Sequence, residues 1–396
     1  MTTTAPDPTT TTTTDSARPD AVACAPRRRL LLRELERPGL MFANITPNWF
    51  ASVMGTGIVA IAAATLPLQF PGLRLGATIL WGLASMLLIG LLIATGIHWL
   101  RFRSTARSHL ANPVMAHFYG APPMAMLTVG AGTLLLGTDV IGVDAALAID
   151  AVLWTLGTVL GLASAIVVPY LTFTSHRVDD DSAFGGWLMP VVPPMVSAAT
   201  GSLLLPHVPA GQPRLTLLLA CYAMFGLSLI ASLIVITLIW ARLSRHKLGP
   251  AALVPTLWIV LGPLGQSITA ANLLGGNAHL VVPAPWSTAL ELFGVLVGVP
   301  VLGFALLWAA LAIAVTARTA RARLPFSLTW WSFTFPLGTC VTGVSALALH
   351  TGSLALQALA VLLFVGLVAA WLIVAARTAH GSILRGTLFA APLPAV

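Results

Sequence analysis

Phe335 stands directly before Pro336, and Gly338, Thr339 and Thr342 continue the helical face that it opens. Seventy-three residues earlier, Pro263 repeats the break, with Gly262 before it and Gln266 and Thr269 on the matching face. Asn48, Ser52 and Thr56 form a third polar stripe at fourfold spacing, beside Gly55 and Gly57. Pro190, Pro193, Ser197 and Thr200 form a fourth, and Pro122 with Pro123 marks a fifth break. None of these segments carries an acidic or basic side chain. An ion meeting them would find hydroxyl and amide dipoles, backbone N–H groups and the positive ends of half-helices. Such groups favour anions weakly, which suits passage better than capture. Among them Phe335 is the one bulky ring placed where the matching position holds Gly262. Its face is small and polar, whereas Phe333 lies on an apolar face suited to packing.

Catalytic chemistry has no foothold here. The chain contains no G-x-S-x-G, no Walker A lysine, no H-x-x-x-H pair and no carboxylate pair in an apolar run. Asp179, Asp180 and Asp181 are adjacent and cannot all face one ion, so they read as a solvated loop. Cys24, Cys221 and Cys340 have neither zinc nor C-x-x-C spacing. No enzyme, metal or cofactor is expected. Asp150 and Glu291 are the acids inside apolar runs, both in segments without the polar stripes. His117 is the one histidine expected near the path, as a candidate pH-sensitive group.

The elements that must hold these residues are membrane helices. Of 396 residues, 57% are hydrophobic and 8% charged, far too little charge for a water-facing surface. Apolar runs recur near 48–66, 76–99, 117–138, 147–173, 187–205, 214–240, 252–275, 287–316, 329–350 and 353–376. Ten spans follow, and the breaks fall in the odd ones. A period near 70 residues makes one helical hairpin plus loops, hence five hairpins, each with a Pro/Gly-broken inner helix and an unbroken outer one. The fold class is an all-α polytopic membrane protein with five hairpins in quasi-fivefold arrangement around a central pore. Of the 20 Lys and Arg residues, only Arg74 and Arg214 fall on one side of these spans. Both termini are therefore expected in the cytoplasm. The net charge of +8 serves orientation, not nucleic-acid binding. Residues 1–40 read as a disordered Thr/Pro/Arg-rich cytoplasmic tail, 41–380 as the ten-helix domain and 381–396 as a short cytoplasmic tail.

Pro47-Asn48-Trp49-Phe50 with Met54-Gly55-Thr56-Gly57-Ile58 resembles the first-helix signature of the tellurite-resistance/dicarboxylate transporter family. The run from His117 to Pro122 and the run from Trp330 to Pro336 resemble its third- and ninth-helix signatures. The family includes tellurite-resistance proteins, malate permeases, sulfite efflux pumps and slow-type anion channels. The resemblance implies a homotrimer with one pore per subunit, plugged by a phenylalanine of the ninth helix, a role that Thr334-Phe335-Pro336 carries onto Phe335. It implies an inner-membrane channel or uniporter for small anions: malate and other C4-dicarboxylates, sulfite, or inorganic anions. A proton-coupled exporter and a non-transporting receptor or scaffold are the alternatives.

Overall fold

The computed structural model describes residues 32, 33, 35 and 38–389. Most of the expected tail 1–40, with Cys24, and residues 390–396 lie outside the described residues. Ten longer α-helices form the frame: α1 (Phe50–Thr65), α2 (Leu73–Arg101), α3 (Ala121–Gly132), α4 (Val143–Thr174), α5 (Pro193–Leu204), α6 (Gln212–His246), α7 (Leu261–Asn277), α8 (Trp286–Arg321), α9 (Phe335–Thr351) and α10 (Leu354–Ala379), with two short α-helices, Arg103–Ala111 and Thr138–Ile141, in the connections. No strand occurs among the described residues.

The odd helices differ from a helix broken in its interior. Each is entered through a 3-10 segment: Pro47–Trp49, Met115–Gly120, Gly185–Leu188, Ala251–Val260 and Leu328–Phe333. The prolines sit where α-geometry begins. Pro122 and Pro123 open α3, Pro193 and Pro194 open α5, Pro263 is third in α7 and Pro336 second in α9. Proline is tolerated there because the first turn has no intrahelical acceptor for its missing N–H. Leu328–Thr351 thus crosses as a 3-10 segment followed by an α-helix, with the change of winding at Thr334. In the fifth segment the change is sharper. Turns at 189–192 separate the 3-10 piece from a 12-residue α5. For that reason nine segments, not ten, are continuous helices long and apolar enough to cross a membrane among the described residues.

Burial sorts the helices into two layers. In the four continuous odd segments 67–83% of an 18-residue stretch is buried, against 17–33% in the even helices. The even helices run 26–36 residues without interruption, Pro169 and Pro300 included. They expose Leu75, Ile79, Leu296 and Leu362 at 62–73%, an apolar surface suited to lipid and untenable in water. Each odd helix packs on the even helix that follows it. The odd helices also touch one another in cyclic order, α1 on α3, α3 on α5, α5 on α7, α7 on α9 and α9 on α1, and their five 3-10 segments repeat that order. Close approach requires glycine here. A Cβ on Gly120 would overlap the Met189 carbonyl, and one on Gly185 the Thr256 carbonyl.

Of the expected C-terminal tail, residues 381–389 are described. A π-turn, His380–Arg385, turns the chain back, so that Leu32 N–H donates to the Ile383 carbonyl at 3.0 Å. Phe389 then stacks on Trp49 with ring centroids 4.9 Å apart.

Candidate functional site

Two cavities lie on the axis of the odd helices. The smaller, of about 20 Å³, is walled by Ala51, Met54, Phe118, Met124, Met189, Val192, Ile259, Gly262, Trp331 and Pro336, among others. It sits where α3, α5, α7 and α9 begin, at the positive ends of four helices. The larger, of about 190 Å³, lies beyond it and is lined along α1, α3, α5, α7 and α9. Every odd segment contributes to both. Phe335 is the one residue that borders both, and it is 3% exposed. Phe333 turns away and packs edge-on against Trp258 at 5.4 Å.

Several expected lining residues reach these cavities. Gly262 and Pro336 face the smaller one, and Thr200, Gln266, Thr269 and Thr342 the larger. Others do not. Along α1 the lining is Ala51, Met54, Ile58, Ile61 and Thr65. The stripe expected there is turned outward. Thr56 accepts the Trp371 indole N–H of α10 at 3.1 Å and donates to the Ser52 carbonyl at 2.8 Å. Ser52 donates to the Trp49 carbonyl at 2.7 Å, and Asn48 accepts from Thr46. Gly55 makes room for Trp331, and Gly57 for Thr128. Helix-to-helix packing also takes Ser197, which accepts from Thr158 of α4 at 3.0 Å, and Pro193, which lies against Gly161. The Pro190 carbonyl accepts from Ser164 of α4 at 3.1 Å, while Pro122 and Pro263 line neither cavity. On α9, Gly338 abuts Ile58 and Thr339 donates to the Pro336 carbonyl at 2.7 Å beside the α7 backbone. Close α7–α9 packing closes that face over.

The hydroxyls of the larger cavity are not free donors. Thr65, Thr128 and Thr200 each donate to the carbonyl four residues back, at 2.7–2.9 Å. Thr269 and Thr342 share one bond of 2.8 Å and reach the Gly265 and Thr339 carbonyls. Intrahelical bonding of this kind is a threonine's ordinary recourse in a helix. The Gln266 carboxamide differs. It is 5% exposed, faces the larger cavity and has no hydrogen-bond partner among the described residues. No acidic or basic residue or histidine lines either cavity.

The titratable candidates lie elsewhere. His117 stacks on Trp187 with planes 4° apart, and its Nδ1 meets the Pro113 carbonyl at 2.7 Å. It borders a separate cavity of about 230 Å³ with Arg177, Asp181 and Arg242. Asp150 is fully buried against Gly130 of α3, with neither oxygen hydrogen-bonded. Glu291 lies 3.9 Å from His350 Nε2, and His350 Nδ1–H donates to Asn272 Oδ1 at 2.9 Å. No group of three metal-ligating side chains occurs among the described residues.

The sequence signal that would have found more of the lining is the repeat. Gly262 and Phe335, Thr269 and Thr342, and Leu273 and Ala346 are pairs 73 residues apart, and all six face a cavity. Thr128 and Ala199, paired by the double-proline offset of 71, line the larger cavity together.

Comparison with known proteins finds membrane transporters and channels. A sulfite efflux pump of Arthroderma otae is 29% identical over 351 residues, 87% of this chain and 92% of the pump. An uncharacterized transporter of Methanocaldococcus jannaschii is 30% identical over 300 residues, 75% of this chain and 82% of that protein. A sulfite efflux pump of Trichophyton rubrum is 28% identical over 349 residues. The family model described as voltage-dependent anion channel, SLAC1, matches residues 44–379. With its many apolar spans, the chain is a multi-pass membrane protein, and it belongs to the SLAC1 family of anion channels and transporters, the group that its first-, third- and ninth-helix motifs resemble.

Proposed function

We propose that this protein passes small anions across the plasma (inner) membrane along the axis of its odd helices, with the Phe335 ring as the gate. The observation that supports this reading is that Phe335 alone borders both of two cavities walled by all five odd segments, and we read its ring as the partition between them. The ten helices are read as five hairpins in quasi-fivefold order, with both termini in the cytoplasm and three subunits per assembly. Sulfite is the first anion to test, because relatives over most of this chain are named sulfite efflux pumps. Malate and other C4-dicarboxylates, tellurite, chloride and nitrate complete the panel.

Passage is electrodiffusive, as in a channel or uniporter. Proton-coupled export needs a group in the path that takes up a proton, and the cavity walls hold no carboxylate or imidazole. The cavities are walled by backbone, threonine oxygens, the Ser332 hydroxyl, the Gln266 amide and apolar side chains. Helix N-termini around the smaller cavity supply positive potential without a fixed cation that would trap the ion. The deciding experiment is anion flux into liposomes containing the purified protein, under imposed voltage and under an imposed pH gradient at clamped voltage. Flux that follows voltage supports the channel reading. Flux that follows the pH gradient overturns it in favour of coupled export, and absence of all flux would leave a receptor or scaffold.

A further inference from the structure

We propose that the groove between the Lys/Arg-rich ends of α6 and α8 binds an anionic phospholipid of the surrounding bilayer. The groove holds about 600 Å³. Its floor is Trp308, whose indole N–H donates to the Leu257 carbonyl at 2.8 Å and is thereby fixed. Trp240 forms one wall, 45% exposed, with its ring centroid 5.9 Å from that of Trp308. Leu311, Ala312 and Val315 of α8 form the other. At the lip stand Ser244 and Lys247, at the end of α6, and Arg318, in the last turn of α8.

The chemistry is graded with depth. From Arg318 down to Leu311 is seven residues, about 10 Å along the helix. Over that distance the walls change from cationic to apolar, through Val315, Ala312 and Leu311 on α8 and Leu243 and Trp240 on α6, with Trp308 about one turn deeper. A phospholipid changes in the same sense, from charged phosphate to acyl chain. Both cations are available. Arg318 makes no hydrogen bond or ion pair among the described residues, and the Lys247 ammonium reaches only the Ser244 carbonyl, at 3.2 Å. No acidic residue lines the groove. An anionic headgroup neutralises both cations at the lip. A soluble acidic partner would satisfy the lip and leave the apolar depth empty. A zwitterionic lipid would fill the depth and leave the cations without net compensation.

The test is native mass spectrometry of the full-length protein released from bilayers of equal phosphatidylglycerol and phosphatidylcholine. The wild type should retain phosphatidylglycerol in preference, by roughly thirtyfold for two lysine- or arginine-type contacts. Lys247→Gln with Arg318→Gln should abolish that preference. Arg245→Gln with Arg321→Gln, at the same helix ends but outside the groove, should keep it. Equal loss in both pairs would reduce the effect to general surface charge and overturn the site, as would retention in the groove pair. A photoreactive residue at position 311 gives a second readout. Crosslinking to phospholipid supports the site, and crosslinking to a second copy of the chain would place a neighbouring subunit in the groove and overturn the proposal.

Discussion

The hydroxyls of Thr269 and Thr342 meet at 2.8 Å, and the two residues are 73 positions apart. They are the same place in two copies of the repeat, facing each other across α7 and α9 at the wall of the larger cavity. Only one proton lies between the two oxygens, so each threonine depends on the other and on a backbone carbonyl. Valine at either position keeps the shape and removes the hydroxyl. Thr269→Val or Thr342→Val is expected to cost about 1 kcal/mol. The double variant should cost less than the sum, with a coupling of about 0.5 kcal/mol or more. Thermal unfolding of the four proteins in detergent checks this.

Removing the partition should join the cavities. Phe335→Ala is expected to raise anion conductance in proteoliposomes by about tenfold or more, the change expected from lowering a barrier by about 1.4 kcal/mol. The same substitution should destabilise by about 3 kcal/mol, the lower end for a buried phenylalanine, since cavities already flank the ring. Unchanged flux in a folded variant would remove Phe335 from the gate.

The two-layer order was legible in the sequence because proline, glycine and hydroxyl residues concentrate in the odd spans. The repeat was legible because Gly262-Pro263-Leu264-Gly265 and Phe335-Pro336-Leu337-Gly338 keep their spacing. The facing of individual side chains was not. Polarity points to the cavities on α7 and α9, but on α1 it marks the opposite face, where Thr56 holds the Trp371 indole. A threonine that bonds its own helix is satisfied on any side, so its hydroxyl carries no directional information. Met54 and Ile58, which do face the cavities, look in sequence like lipid-facing residues. The 3-10 entries were also hidden, since a proline in an apolar run reads equally as a broken helix and as a helix start.

Backbone contact between the 3-10 entries should make glycine mandatory at their crossings. At Gly120 and Gly185 the obstruction is a carbonyl of the neighbouring segment, which cannot swing aside as a side chain can. Gly120→Ala and Gly185→Ala are expected to destabilise by about 3 kcal/mol or more. Gly82→Ala on α2, where nothing lies within 4 Å of the added carbon, should stay within about 1 kcal/mol of the wild type. Melting temperatures of the three variants decide whether these glycines are structural necessities.

On the proposed path, Gln266 is the residue expected to recognise the ion. The threonine protons around it are committed to oxygen acceptors, so the carboxamide N–H groups are the side-chain donors left for an anion beyond the Phe335 ring. A neutral donor holds an ion by about 1.5–3 kcal/mol net, strongly enough to select and weakly enough to release. Gln266→Leu keeps the bulk and loses the donor, so sulfite flux should fall by about tenfold or more. Gln266→Asn keeps the donor on a shorter arm and should retain more flux than leucine. Gln266→Glu replaces the donor with an acceptor carboxyl and should pass less anion than leucine when ionised, the deficit narrowing at acid pH as the carboxylate is protonated. Flux ratios of the three variants, measured on a Phe335→Ala background so that the gate does not limit the rate, separate recognition at Gln266 from gating at Phe335.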